Sequence, residues 1–247
     1  MDRMLYVAMN GAKQIQMHQA TNTHNLANAS TTGFRADFDS IRSLPVYGPG
    51  NPSRVYSIDE RSGIDFNIGQ VSQTGRDLDV SINGAGFIAI QSPDGSEGYT
   101  RAGDLRVVQG GLLQTGAGFS VMGNDGPIAL PPFEKLDIAA DGTLSIVPVG
   151  QDASALAVID RIKLVNPPTN ELEKGLDGLI RATDGNPIAA DATVRVASGT
   201  VEGSNVNSIS ELINMIELAR KFEMHVKLME TAENNDSSST SILRLRG

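Results

Sequence analysis

The chain is 247 residues long, enough for one large or two ordinary domains with a real core. It has no Cys and no Trp, which excludes disulfides and Cys-ligated zinc. Twenty Lys and Arg against 29 Asp and Glu leave a formal charge of −9, which argues against the basic face that nucleic-acid binding needs. Asn10, Gly11, Lys13 and Gln14 interrupt the N-terminus before the apolar core of a signal peptide can form, and no run approaches 18 apolar residues. Neither a cleaved leader nor direct membrane insertion is therefore expected.

Residues 1 to about 32 read as one helix. Met1, Leu5, Ala8, Ala12 and Ile15 are spaced by four and three, and Gln19, Asn22 and Leu26 continue that phase with polar substitutes. Thr31 and Thr32 are weak helix formers and Gly33 is a natural stop. The helix would be about 40 Å long. Its seam buries so little apolar area that alone in water it should be marginal.

Residues 34–75 read as an extended connector. Pro45, Gly48-Pro49-Gly50 and Pro52 make a non-helical loop, followed by strand candidates at 55–57 and 64–68. Residues 76–203 are β-rich: Asp-Gly occurs at 94, 125, 141, 177 and 184, and short alternating runs lie between such turns. The first is Leu78, Val80 and Ile82, then an Asn83-Gly84 turn and a return strand Phe87–Ile90. Later runs include 105–108, 119–122, 143–147, 156–165 and 193–196. This spacing predicts an all-β domain, an irregular sandwich or barrel.

The last element, residues 204–247, is a second long helix. Ser208 and Glu211 have capping-box spacing. Ile209, Leu212, Ile216, Ala219, Phe222, Val226 and Met229 form a seam of period near 3.5, and Ile213, Met224 and Leu228 widen it beyond one partner's reach. Local propensity stops the helix near Asn234, where Asn-Asn-Asp-Ser-Ser-Ser-Thr-Ser begins; Ile242, Leu243 and Leu245 then resume an apolar rhythm. The fold class is α+β: terminal helices pairing as a coiled coil, with a central all-β domain and an extended connector.

No catalytic, cofactor-binding or metal-binding residue stands out. Gly84-Ala85-Gly86-Phe87-Ile88-Ala89 fits a dinucleotide fingerprint, but a strand follows it rather than a helix. Asp77 and Asp79 share a strand face and read best as solvated edge charges. His18, His24 and His225 lie on the terminal helices without the spacing of metal ligands.

The two ends carry a family resemblance. Asn25-Leu26-Ala27-Asn28-Ala29-Ser30-Thr31-Thr32-Gly33-Phe34-Arg35 resembles the N-terminal motif of bacterial flagellar rod and hook proteins. Ser204-Asn205-Val206-Asn207, Glu211-Leu212, Met215-Ile216 and Arg220-Lys221-Phe222-Glu223 resemble their C-terminal motif. Asp79–Phe87 and Tyr99–Asp104 resemble the strands that open their middle domain. The chain lacks the larger middle insertion of hook proteins, so the resemblance implies a proximal rod subunit, with a distal rod subunit as the alternative. It implies no cofactor, copies of the chain and other rod proteins as partners, and export through the flagellar type III apparatus. The subunits would form a tube that transmits torque and carries later cargo across the periplasm. Leu5, Ala8, Ala12, Ile15, Asn25, Leu26, Asn28, Gly33 and Phe34, with Val206 and the seam from Ile209 to Met229, are the expected assembly interface. A secreted β-domain enzyme and a trimeric stalk are the readings from other classes.

Overall fold

The computed structural model describes residues 2–45, 47, 55–151, 156–175 and 177–244. It divides into two compact units: one of residues 1–28, 37–63 and 206–247, the other of residues 29–36 and 64–205.

The first unit holds two helices, α1 (Asp2–Ala27) and α2 (Ser208–Arg244), and two paired strands, β1 (Asp37–Pro45) and β2 (Val55–Ile64). The loop read from Gly48 to Pro52 lies outside the described residues. The α1 helix ends at Ala27, earlier than the expected stop at Gly33. The Asn28 side chain turns back to donate to the His24 carbonyl at 2.9 Å, the local bonding that makes Asn a poor helix continuer. Ser208 does not cap α2. The cap is Asn207, whose Oδ1 accepts from the amides of Ile209 (3.1 Å) and Ser210 (3.2 Å).

The polar stretch near Asn234 stays helical to Arg244. Its hydroxyls bond their own helix: Ser238 to the Asn234 carbonyl, Ser239 to that of Asn235 and Thr240 to that of Asp236, at 2.8–2.9 Å. Inward bonding of this kind satisfies the hydroxyls that otherwise compete with helix formation.

Every ladder among the described residues of the second unit is antiparallel. Its largest sheet has eight strands, running 172–174, 180–182, 97–100, 87–91, 120–121, 113–115 and 105–107, with 164–165 also on 87–91. A three-stranded sheet comprises 133–138, 143–148 and 157–161. Ile88, Ile90, Leu113, Leu144, Ile146 and Leu164 meet in one core drawn from both sheets. The run 156–165 splits between the two sheets at Ile162-Lys163, so it is not one strand.

The expected hairpin of 80–83 and 87–90 does not form. Strand 80–83 pairs with 195–198, and 87–91 pairs with 97–100. Gly84 (φ +89°) and Gly86 (φ +127°) redirect the chain between them. A side chain on Gly86 would press on Val194 and the Val165 carbonyl. Strands 71–73 and 200–202 also pair, so the first and last strands of this unit lie side by side.

Asp79 is buried, not a solvated edge charge, and Arg76 reaches it at 3.3 Å. Its backbone pairs with that of Asp104, whose carboxyl is pushed up by burial and by the Asp79 charge. A carboxyl raised in the folded state contributes stability below its unfolded value of about 3.9 and loses it as pH climbs through the folded value. Asp104→Asn should therefore melt higher than the parent at pH 7. The gap should close as the pH falls toward 4, which a series of melting curves would read directly.

Candidate assembly interface

The burial of α2 follows a 4,3 rhythm. Glu211, Met215, Leu218, Phe222, His225, Met229 and Ala232 are its shielded positions. This face packs on α1, which in turn buries Ala8, Ala12, Ile15, Asn22 and Asn25. The helices run antiparallel: Asn22 near the end of α1 bonds Glu211 near the start of α2, and Gly11 sits against the His225 ring. A Cβ on Gly11 would lie 2.3 Å from that ring, so Gly11 is the hole into which His225 fits.

The predicted α2 seam is thus displaced. Phe222 and Met229 face α1, but Ile209, Leu212 and Ile216 are exposed, at 69, 48 and 56%. At about 100° per residue, Ile209, Leu212, Ile213 and Ile216 fall on the side opposite Leu218 and Phe222. Ala219 and Val226 flank the α1-facing side and are exposed. The helix has two apolar faces, and periodicity merged them into one wide stripe. On α1, Leu5 is exposed together with Met4, Tyr6 and Val7, whereas Leu26 and Asn28 are half-buried.

The paired strands dock on α1 through polar groups. Asn10 and Gln14 both donate to the Ser57 carbonyl at 3.2 Å. His24 meets Asp37 at 2.8 Å, and His18 meets Asp39 at 3.2 Å. Asn25 pairs with the Asp37 backbone, donating to its carbonyl at 3.0 Å and accepting from its amide at 2.9 Å. Asn25 is therefore used within the chain. A cleft of about 330 Å³ among His18, Asn22, Asp39, Glu211 and Lys221 lies beside these contacts.

Gly33 and Phe34 belong to the β-rich unit. Gly33 has φ +66° and is buried against the backbone of Arg101-Ala102. Its amide donates to the Glu202 carbonyl at 2.8 Å. The Lys174 ammonium lies 4.2 Å from the centre of the Phe34 ring. Val206 is half-buried just ahead of the α2 cap. Within the β-rich unit Glu202, fully buried, receives both Arg35 and Arg101, the latter at 2.9 Å. Nothing in the local spacing marks this triad. Its members lie 101 and 167 residues apart, far outside any periodicity window.

Three family models match along the chain. The flagella basal body rod protein model covers residues 5–35, the flagellar hook protein FlgE/F/G D1 domain 81–146, and the flagellar basal body rod FlgEFG protein C-terminal model 197–242. The flagellar basal-body rod protein FlgF of Escherichia coli (strain K12) is 41% identical, over 99% of this chain and all of the relative. FlgF of Salmonella typhimurium is 39% identical over the same shares. FlgG of Buchnera aphidicola subsp. Acyrthosiphon pisum is 33% identical over 93% of this chain and 95% of its own. The chain therefore belongs to the flagellar basal-body rod protein family, as a FlgF-like structural subunit of the rod and not an enzyme.

Proposed function

We propose that this subunit polymerises through its terminal helices into the tubular drive shaft of the proximal rod, transmitting torque and enclosing an export channel. The supporting observation is the pair of apolar faces on opposite sides of α2. One is covered by α1 within the chain. The other, at Ile209, Leu212, Ile213 and Ile216, stands open to solvent in the single subunit. Burying one such side chain is worth about 1.5–3 kcal/mol, and a polymer repeats the gain at every copy. In this reading Ala8, Ala12, Ile15, Phe222 and Met229 hold α1 to α2 as a coiled coil. The open face of α2 and the exposed first turns of α1 around Leu5 meet neighbouring subunits, either copies of this chain or other proximal and distal rod proteins. The hydroxyl-rich end of α2 would face the bore, where a wall without apolar grip lets unfolded cargo pass. Export through the type III apparatus and a position across the periplasm complete the proposal.

The absence of native cysteine makes the test direct. Ile213→Cys introduces a single thiol on the open face, where it should react quickly with a maleimide in the soluble subunit. In purified basal bodies the same thiol should be protected. Equal labelling of both forms would remove this face from the assembly interface.

A further inference from the structure

Three distant segments cross in the β-rich unit: Gly33–Ala36, Asp65–Gly69 and Glu202–Asn205. Asn205 ties them together. Its Oδ1 accepts from the Ala36 amide at 2.8 Å, and its Nδ2 donates to the carbonyls of Asp65 (2.9 Å) and Asn67 (3.1 Å). Glu202 is the other tie. One carboxylate oxygen accepts from the Gly69 amide at 2.9 Å and from Arg35, and the other from Arg101 at 2.9 Å. Arg101 also donates to the Gly84 carbonyl at 2.6 Å and lies 5.5 Å from the Phe87 ring centre. Arg101 is thus anchored in the β structure whether or not Arg35 is present. Arg35 is not: it is 2% exposed, yet its Nε and Nη1 have no hydrogen-bond partner among the described residues. Its guanidinium is held through Glu202, while its backbone carbonyl accepts from the Lys174 ammonium at 3.0 Å.

We infer that Arg35 is the bolt of a strap: the segment after α1 in the chain, residues 33–36, closes only onto a completed β domain. The acceptor, Glu202, is carried on the domain's last strand, which pairs with its first, 71–73. Its carboxylate is aimed by Arg101 and by the Gly69 amide. None of these groups is within 30 residues of Arg35 in the chain, so the site for the bolt exists only after long-range closure. Before that, an extra guanidinium has no buried carboxylate to enter and stays in water. The strap therefore reports that the β domain has folded, and closes late.

The charge count separates the members. Arg35→Met leaves one Arg on one Glu, a balanced pair. Arg101→Met leaves Arg35 its carboxylate but removes the bond to Gly84. Glu202→Gln leaves two buried cations with no anion. Hydrogen exchange on the full-length protein reads each pattern, with Gly33 and Ala36 as strap reporters and residues 87–91 and 144–146 as core reporters. In Arg35→Met the strap amides should exchange about 100-fold faster, with core amides unchanged. In Arg101→Met the strap should stay protected relative to the core around residue 87. Glu202→Gln should release both. Strap protection unchanged in Arg35→Met, or strap and core opening together in that variant, would overturn the assignment.

Discussion

Ile216→Asp should abolish incorporation into the rod and swimming, while the soluble subunit keeps its helical content and its melting temperature. Ile216 is 56% exposed on the α2 side away from α1, so the monomer loses no packing. A surface substitution away from caps and networks stays within about 0.5 kcal/mol. Assembly is different. Each copy would forfeit about 1.5–3 kcal/mol of apolar burial and leave a carboxylate desolvated and unpaired. The contact recurs at every subunit, so the loss multiplies along the polymer. Phe222→Asp is the contrasting variant: it places the same charge on the face that packs on α1 and should lower helicity in the soluble protein itself. Circular dichroism of both variants, with immunoblots of purified basal bodies, separates the two faces. Rods that contained Ile216→Asp at parental levels would refute the open-face interface.

Gly33→Ala should be the most damaging single-methyl change near the strap. Two costs add. An alanine at φ +66° sits in the left-handed region at about 1–2 kcal/mol. Its Cβ would also fall 2.2 Å from the backbone of Arg101 and Ala102, atoms fixed by the neighbouring strands and not the tip of a flexible side chain. Together these are worth about 3 kcal/mol. Gly95→Ala supplies the control. It shares the positive φ, at +86°, but has nothing within 4 Å, so only the conformational cost of about 1 kcal/mol remains. Denaturant midpoints of the two variants isolate the clash. If they shifted equally, the close approach of Gly33 to residues 101–102 would carry no weight.

Much of this architecture was legible from short windows. The two terminal helices and most short strands between Asp-Gly turns follow from periodicity and turn chemistry, because those signals act within a few residues. The errors came where a signal had two sources. The α2 stripe reads as one seam because its two apolar faces overlap in sequence at steps of three and four. The hairpin at Asn83-Gly84 was expected because Asn-Gly is a strong local turn signal; the pairing of 80–83 with 195–198 is set by core packing more than a hundred residues away. The tail past Asn234 is helical against its local propensity, with its hydroxyls bonded to carbonyls of the preceding turn.

Family membership, the α+β composition and the long amphipathic helices at both ends are already readable in the order of residues. Only the tertiary structure decided which side of α2 is spent on α1 and which is left open, since burial depends on a partner and not on the pattern alone. It alone brought Arg35, Arg101 and Glu202 together. A buried charge is tolerated only where its counter-charge is also buried, and that meeting is a property of chain closure across 167 residues, not of any stretch of the chain.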